Sequence, residues 1–243
     1  MKKLFWSGLI LFMIGIIGTV ATGGTYFWKS NTAAASNSSE TKVLLKEAKS
    51  VGVDLNLGVG NLNVSGTTGQ LMEGNFVYSE KYQKPEVNYS VQDERGKLVV
   101  NQKSQTSLGF NNSDYRWDLK LNDQIPIDLN VSSGAAKSKL ILTGMNLHSV
   151  TISAGVGDST IDLSGTGKQS YNVKIKAGIG KVQLILPKDV GVKVDVSKGI
   201  GKVNGDGFRM DGSSYVNDQY GKAKVTVGVS LDLGIGDVEL MSQ

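Results

Sequence analysis

From Val51 onward the apolar residues alternate with polar ones, and the alternation breaks at regular places. Val51, Val53, Leu55, Leu57 and Val59 occupy odd positions, which share one face of an extended strand. After Gly60 and Asn61 the apolar positions become even, at Leu62 and Val64. Ile152, Ala154 and Val156 give way in the same manner to Ile161 and Leu163, and Val173, Ile175, Ala177 and Ile179 to Val182, Leu184 and Leu186. Val192, Val194, Val196 and Ile200 precede Val203; Leu231, Leu233 and Ile235 precede Val238 and Leu240. A worn copy runs through Ile127, Leu129, Val131, Ser133 and Ala135 to Leu140 and Leu142. The predicted unit is a strand, a Gly-apolar-Gly-polar junction and a second strand of opposite parity.

A one-residue slip turns a strand's apolar face over, unless the extra residue is absorbed in a bend. Glycine suits such a bend because it accepts positive φ and close backbone approach. The pairs Gly58 and Gly60, Gly155 and Gly157, Gly178 and Gly180, Gly199 and Gly201, and Gly234 and Gly236 are therefore read as structural corners. Counting Gly134 of the worn copy, the first glycines are 76, 21, 23, 21 and 35 residues apart. A near-constant step with insertions before and after it is the signature of a repeat. No unit of this size can bury its apolar face alone, so neighbours must stack. The expected fold is all-β, an elongated β-solenoid-like or sandwich-like stack with Gly-X-Gly corners. Each strand is expected to pair with those one repeat before and after, with Val59, Val156, Ile179 and Ile235 turned inward.

Two insertions interrupt the repeat. Residues 70–121 hold Phe76, Tyr78, Tyr82, Tyr89, Phe110, Tyr115 and Trp117 and read as a meander, with a hairpin turn expected at Arg95-Gly96. Residues 205–221 are rich in Gly and Asp and read as a long loop or a hairpin with a loose end.

The N-terminus follows different rules. Leu4 to Phe27 carries no charge and is long enough to cross a bilayer as one transmembrane helix. Lys2 and Lys3 precede it, and Trp6, Tyr26, Phe27 and Trp28 suit the two interfaces. The stretch is too long for an ordinary secretory signal core. The expectation is a membrane anchor over 1–29 with its N-terminus cytoplasmic, a flexible tether over 30–42 and an extracytoplasmic β-repeat domain over 43–243. Gly15 with Thr19 and Gly18 with Thr22 are small-xxx-small pairs that permit helix association, which leaves a homo-oligomer open.

Charge narrows the partners. Without Lys2, Lys3 and Lys29 the chain carries 23 basic and 22 acidic residues, so the high isoelectric point does not imply a basic face, and nucleic acid is not an expected partner. With no cysteine and a single histidine, His148, neither a disulfide framework nor a His/Cys metal site is expected.

The units GVGNLNVSG, AGVGDSTIDLSG, AGIGKVQLILP, KGIGKVNG and LGIGDVEL resemble those of the bacterial toast-rack and candidate-adhesin β-strand-repeat families. Residues 207–240 are similar to the closing part of many members. LiaF-like envelope-stress regulators carry a related domain behind several membrane spans, where this chain has one. The resemblance implies a fold and a place at the cell envelope rather than an activity.

The segment around Gly165-Thr166-Gly167-Lys168 fails the phosphate-loop pattern, with Asp162 where a glycine is needed and Gln169 after the lysine. The residues following the second junction glycine are Asn61, Lys137, Asp158, Lys181, Lys202 and Asp237, too rich in lysine for a calcium ladder. Asp158 is expected to pair with Lys137 or Lys181 on a neighbouring rung. No paired carboxylates suggest glycan hydrolysis. No catalytic, cofactor-binding or metal-binding residue is assigned and no cofactor is expected. The expected role is a non-catalytic interaction or scaffold protein at the envelope. It would meet a membrane sensor protein or cell-wall polymer, with a β-helical glycan-active enzyme as the rival. Tyr78, Tyr82, Tyr89, Tyr115 and Trp117 are the first candidates for a contact surface, having residue types enriched in hot spots.

Overall fold

The structure is a computed structural model, which describes residues 36–79, 84–103, 115–165 and 167–243. The described residues form strands and turns without a helix. The expected anchor, Leu4 to Phe27, lies outside them, and no helix among the described residues is long and apolar enough to cross a membrane.

In chain order the strands are β1 (Ser36–Val43), β2 (Ser50–Thr68), β3 (Met72–Ser79), β4 (Glu86–Gln92), β5 (Arg95–Asn101) and β6 (Arg116–Asn122). Then come β7 (Ile127–Ile141), β8 (Leu147–Val156), β9 (Ser159–Asp162), β10 (Tyr171–Ile179), β11 (Val182–Leu186) and β12 (Gly191–Ile200). The last five are β13 (Val203–Asp206), β14 (Arg209–Asp211), β15 (Ser214–Val216), β16 (Thr226–Ile235) and β17 (Val238–Ser242). All belong to one open sheet network.

Each predicted unit is one rung, and rungs pair in parallel with their junctions aligned. β2 lies along β7 through both halves, with Val59 opposite Ala135. Before the junction β7 continues to β8, then β10, then β16, then β12. Beyond it the order is β7, β9, β11, β17 and β13. Inward residues from both halves, such as Leu55 with Leu62 and Ile175 with Leu184, share one hydrophobic cluster.

This order corrects the expectation that rungs follow one another along the chain. The last rung, β16–β17, sits between β10–β11 and β12–β13. The insertion at 205–221 makes this possible. It forms the hairpin β14–β15, whose second strand runs antiparallel to β12 at the edge, and then leads back to the vacant slot.

The aromatic insertion is also more deeply built in than a meander. β5 pairs in parallel with the first half of β2 and β6 with its second half, so the two together make a further rung. The hairpin turn of β4–β5 falls on Asp93 and Glu94, at φ 49° and 59°, rather than on Arg95-Gly96. Two consecutive positive-φ residues make the tight turn whose twist suits a two-residue hairpin. Residues 36–42, expected in the tether, are instead part of β1, which pairs antiparallel with β3 from Ser36 opposite Ser79.

Candidate interaction surface

At each junction the first glycine and the apolar residue both face solvent, and the second glycine turns inward. Val156, Ile179, Ile235 and Ile200 are 52, 49, 47 and 72% exposed, and Val59 is half-buried. The inward orientation expected for Val59, Val156, Ile179 and Ile235 is thus corrected. The additional residue in the bulge is the apolar one itself, pushed out at the convex side of the bend. Two successive outward residues are what change the parity.

The two glycines do different work. The second stands at φ 142° in Gly201 and 139° in Gly236. A Cβ on Gly201 would run into the carbonyl oxygen of Gly236 on the adjoining rung. The first glycine has no such φ but faces the same crowding: a Cβ on Gly178 would meet the carbonyl oxygen of Gly155. The ten predicted corner glycines lie at the junctions, and β7 uses Gly134 with Ala136 in the second place, buried.

In-register stacking turns each junction position into a row. The apolar row reads Val59, Ala135, Val156, Ile179, Ile235, Ile200 across the rungs. On one side lies the glycine row and then an outer polar row; Ser132, Ser153, Ser197, Lys176 and Asp232 line an open groove of about 800 Å³ floored by glycines. On the other side the flanking registers place Asn61, Lys137, Asp158, Lys181, Asp237 and Lys202 in that order. From Lys137 onward the charges alternate in sign. Asp158 accepts the backbone N–H of Lys181 at 2.9 Å and Asp237 that of Lys202 at 2.8 Å. The pairing expected between Asp158 and Lys181 is therefore made to the main chain, and the Lys181 ammonium binds Glu239 at 2.7 Å.

The aromatic candidates divide. Trp117 and Tyr115 are 0 and 1% exposed, so neither presents a surface. They line the rung made by β5 and β6, where Trp117 stands edge-on to Phe76 with ring centroids 5.6 Å apart. Their burial follows from the pairing of β6 with β2, which aligns Trp117 with Leu62. Tyr78 and Tyr89 are half-buried against the core, and the Tyr89 hydroxyl donates to the Leu45 carbonyl at 2.7 Å. Tyr82 lies outside the described residues.

Several carboxylates on the faces of the sheet are engaged with neighbours. Asp128 accepts from Ser149 at 2.6 Å, from Arg95 at 2.9 Å, and lies 2.7 Å from His148 Nδ1. Burial pushes its carboxyl up, but Ser149, His148 and Arg95 together hold it below the usual range. Asp54 behaves alike: burial raises it, and Lys97 and Asn130 more than reverse the effect. Asp118 accepts from Asn63 at 2.7 Å and from Arg116 at 2.9 Å, and Asp195 from Ser214 at 2.5 Å. No group of His, Asp and Glu among the described residues could hold a metal ion.

A stack of Gly-cornered parallel rungs carrying outward ladders defines a β-strand-repeat protein of the toast-rack class. The family model described as the N-terminal domain of toast_rack, DUF2154, matches residues 31–185, and the chain belongs to that family. The model described as cell wall-active antibiotics response LiaF, C-terminal, matches residues 141–240. A crystal structure of a candidate cell adhesion protein from Clostridium sporogenes ATCC 15579 is 36% identical, with a TM-score of 0.83, covering 86% of this chain and all of that one. A candidate adhesin from Bacteroides fragilis NCTC 9343 is 10% identical over 85% of this chain and 98% of its own. Its TM-score is 0.31. No curated protein matches the chain.

Proposed function

We propose that this protein is a non-catalytic interaction module of the bacterial cell envelope. Its N-terminal apolar segment spans the membrane once, from a cytoplasmic N-terminus, and the solenoid-like stack of rungs stands outside. The observation that carries this reading is the match of 86% of this chain to the candidate cell adhesion protein of Clostridium sporogenes, which it covers entirely. The match of residues 141–240 to the LiaF C-terminal model adds the link to the cell wall-active antibiotic response. The engagement of Asp54, Asp118, Asp128 and Asp195 with neighbouring side chains supports a structural use of these carboxylates over a hydrolytic one.

The partner is read as a membrane sensor protein, with modulation of envelope-stress signalling as the role. Binding of cell-wall polymer is the second reading, favoured by the adhesion relative. Crosslinking the full chain in intact cells and identifying what it captures separates the two. Recovery of a sensor kinase supports signalling, and recovery of wall polymer alone supports adhesion. Turnover of wall glycans that a single Asp or Glu substitution abolishes overturns the non-catalytic reading.

A further inference from the structure

The apolar row at the junctions is a surface that a second copy of the same chain fits. We propose that two chains associate through it antiparallel, with a twofold axis lying between the Ile179 and Ile235 rungs. This rests on the rows described above and stands independently of the envelope reading.

Val156, Ile179, Ile235 and Ile200 are consecutive rungs, each about half-exposed or more. Parallel strands are ~4.8 Å apart, so the four side chains form a continuous stripe of about 15 Å rather than scattered surface residues. A second copy carries the same stripe at the same spacing. An isologous pair with its axis in the interface and across the stack lays ridge on ridge and charged row on charged row.

The charged row selects the register. It reads plus, minus, plus, minus, plus through Lys137, Asp158, Lys181, Asp237 and Lys202. An axis through any one rung sets like charges against each other. An axis between two rungs sets lysine against aspartate wherever the charged rungs overlap. Between Lys181 and Asp237 it places Lys181 opposite the second copy's Asp237 and Asp158 opposite its Lys202. The same axis sets Ile179 against Ile235 and Val156 against Ile200, covering all four large exposed side chains. One rung earlier, it would set Ile235 against Ala135 and Ile200 against the half-buried Val59. Charge excludes an axis through a rung, and the exposure of the apolar row chooses among the axes between rungs. Lys181 already binds Glu239, so its contribution is shared, and the patch is at the small end of specific interfaces. The association is accordingly expected to be reversible.

The chain has no cysteine, which makes the test direct. Single substitutions Lys137→Cys, Asp158→Cys, Lys181→Cys, Asp237→Cys and Lys202→Cys are placed in the full chain expressed in intact cells, and disulfide-linked dimers are scored on mild oxidation. In the proposed register Lys181 and Asp237 each lie one rung from their twofold mates, Asp158 and Lys202 three rungs, and Lys137 five rungs or ~24 Å. Dimers are expected at Lys181→Cys and Asp237→Cys, several-fold above the other three. Ile179→Lys with Ile235→Lys in the same chains should remove them, while the circular dichroism of the purified protein stays that of a folded sheet. Equal crosslinking at all five positions, a maximum at Asp158→Cys, no dimer at any position, or dimers that survive the lysine substitutions would each overturn the proposal.

Discussion

Asp237 reaches across one rung and accepts the backbone N–H of Lys202 at 2.8 Å, as Asp158 does for Lys181. The bend at the second glycine takes the next amide out of the regular ladder, and the neighbouring carboxylate supplies its acceptor.

Replacing that acceptor has a defined cost. Asp237→Ala is expected to lower stability by about 1 kcal/mol, and Asp237→Asn, which keeps an acceptor oxygen, by clearly less. Urea unfolding followed by fluorescence reads the difference. Equal losses for the two would remove the hydrogen bond as the cause.

The junction glycines separate backbone strain from steric exclusion. Gly221 stands at φ 78° with nothing within 4 Å of an added Cβ, so Gly221→Ala is expected to cost about 1 kcal/mol from conformation alone. Gly201 and Gly236 combine positive φ with a neighbouring carbonyl where the Cβ would sit, so Gly201→Ala and Gly236→Ala are each expected to cost about 3 kcal/mol or more. Comparable urea midpoints for all three variants would contradict the tight stacking of the rungs.

Trp117 is expected to act through packing. Trp117→Ala should cost about 3–5 kcal/mol, as large aromatic truncations in cores do. A variant of unchanged stability that loses a binding partner would return this residue to the surface role first expected of it.

Two phenols define an alkaline limit. Burial pushes the hydroxyls of Tyr115 and Tyr171 up to about 12, from an ordinary value of 10. The unfolded chain releases these protons first, so their contribution is fully present below pH 10 and is lost as the pH rises from 10 towards 12. Tyr171→Phe should flatten that fall in urea midpoints measured across this range, and an unchanged slope would argue against its burial.

Much of the fold was legible in the pattern of residues. Period-two runs such as Val173, Ile175 and Ala177 marked the strands, and the parity breaks marked the bends. Which residue left the core at the bend was not legible. Ile179 continues the parity of Val173, and only the inward turn of Gly180 shows that it lies outside. Rung order was hidden for another reason. The 35-residue step between Gly199 and Gly234 reveals an insertion but not that the chain doubles back to place β16 beside β10. Trp117, Leu119 and Leu121 alternated like any strand, yet the aromatic content of residues 70–121 suggested a surface. Parallel pairing with β2, a contact between positions some 55 residues apart, is what puts them inside. The site was legible in its glycines and charged turn residues, and obscured where exposed isoleucines share the parity of the core residues before them.

Because β16 and β17 occupy an interior slot, the molecule cannot be finished from its beginning. β10 and β12 do not pair with each other, and β16 joins them by pairing with both. The sheet therefore cannot close before residues 226–242 are in place, and removing them opens a gap in its middle.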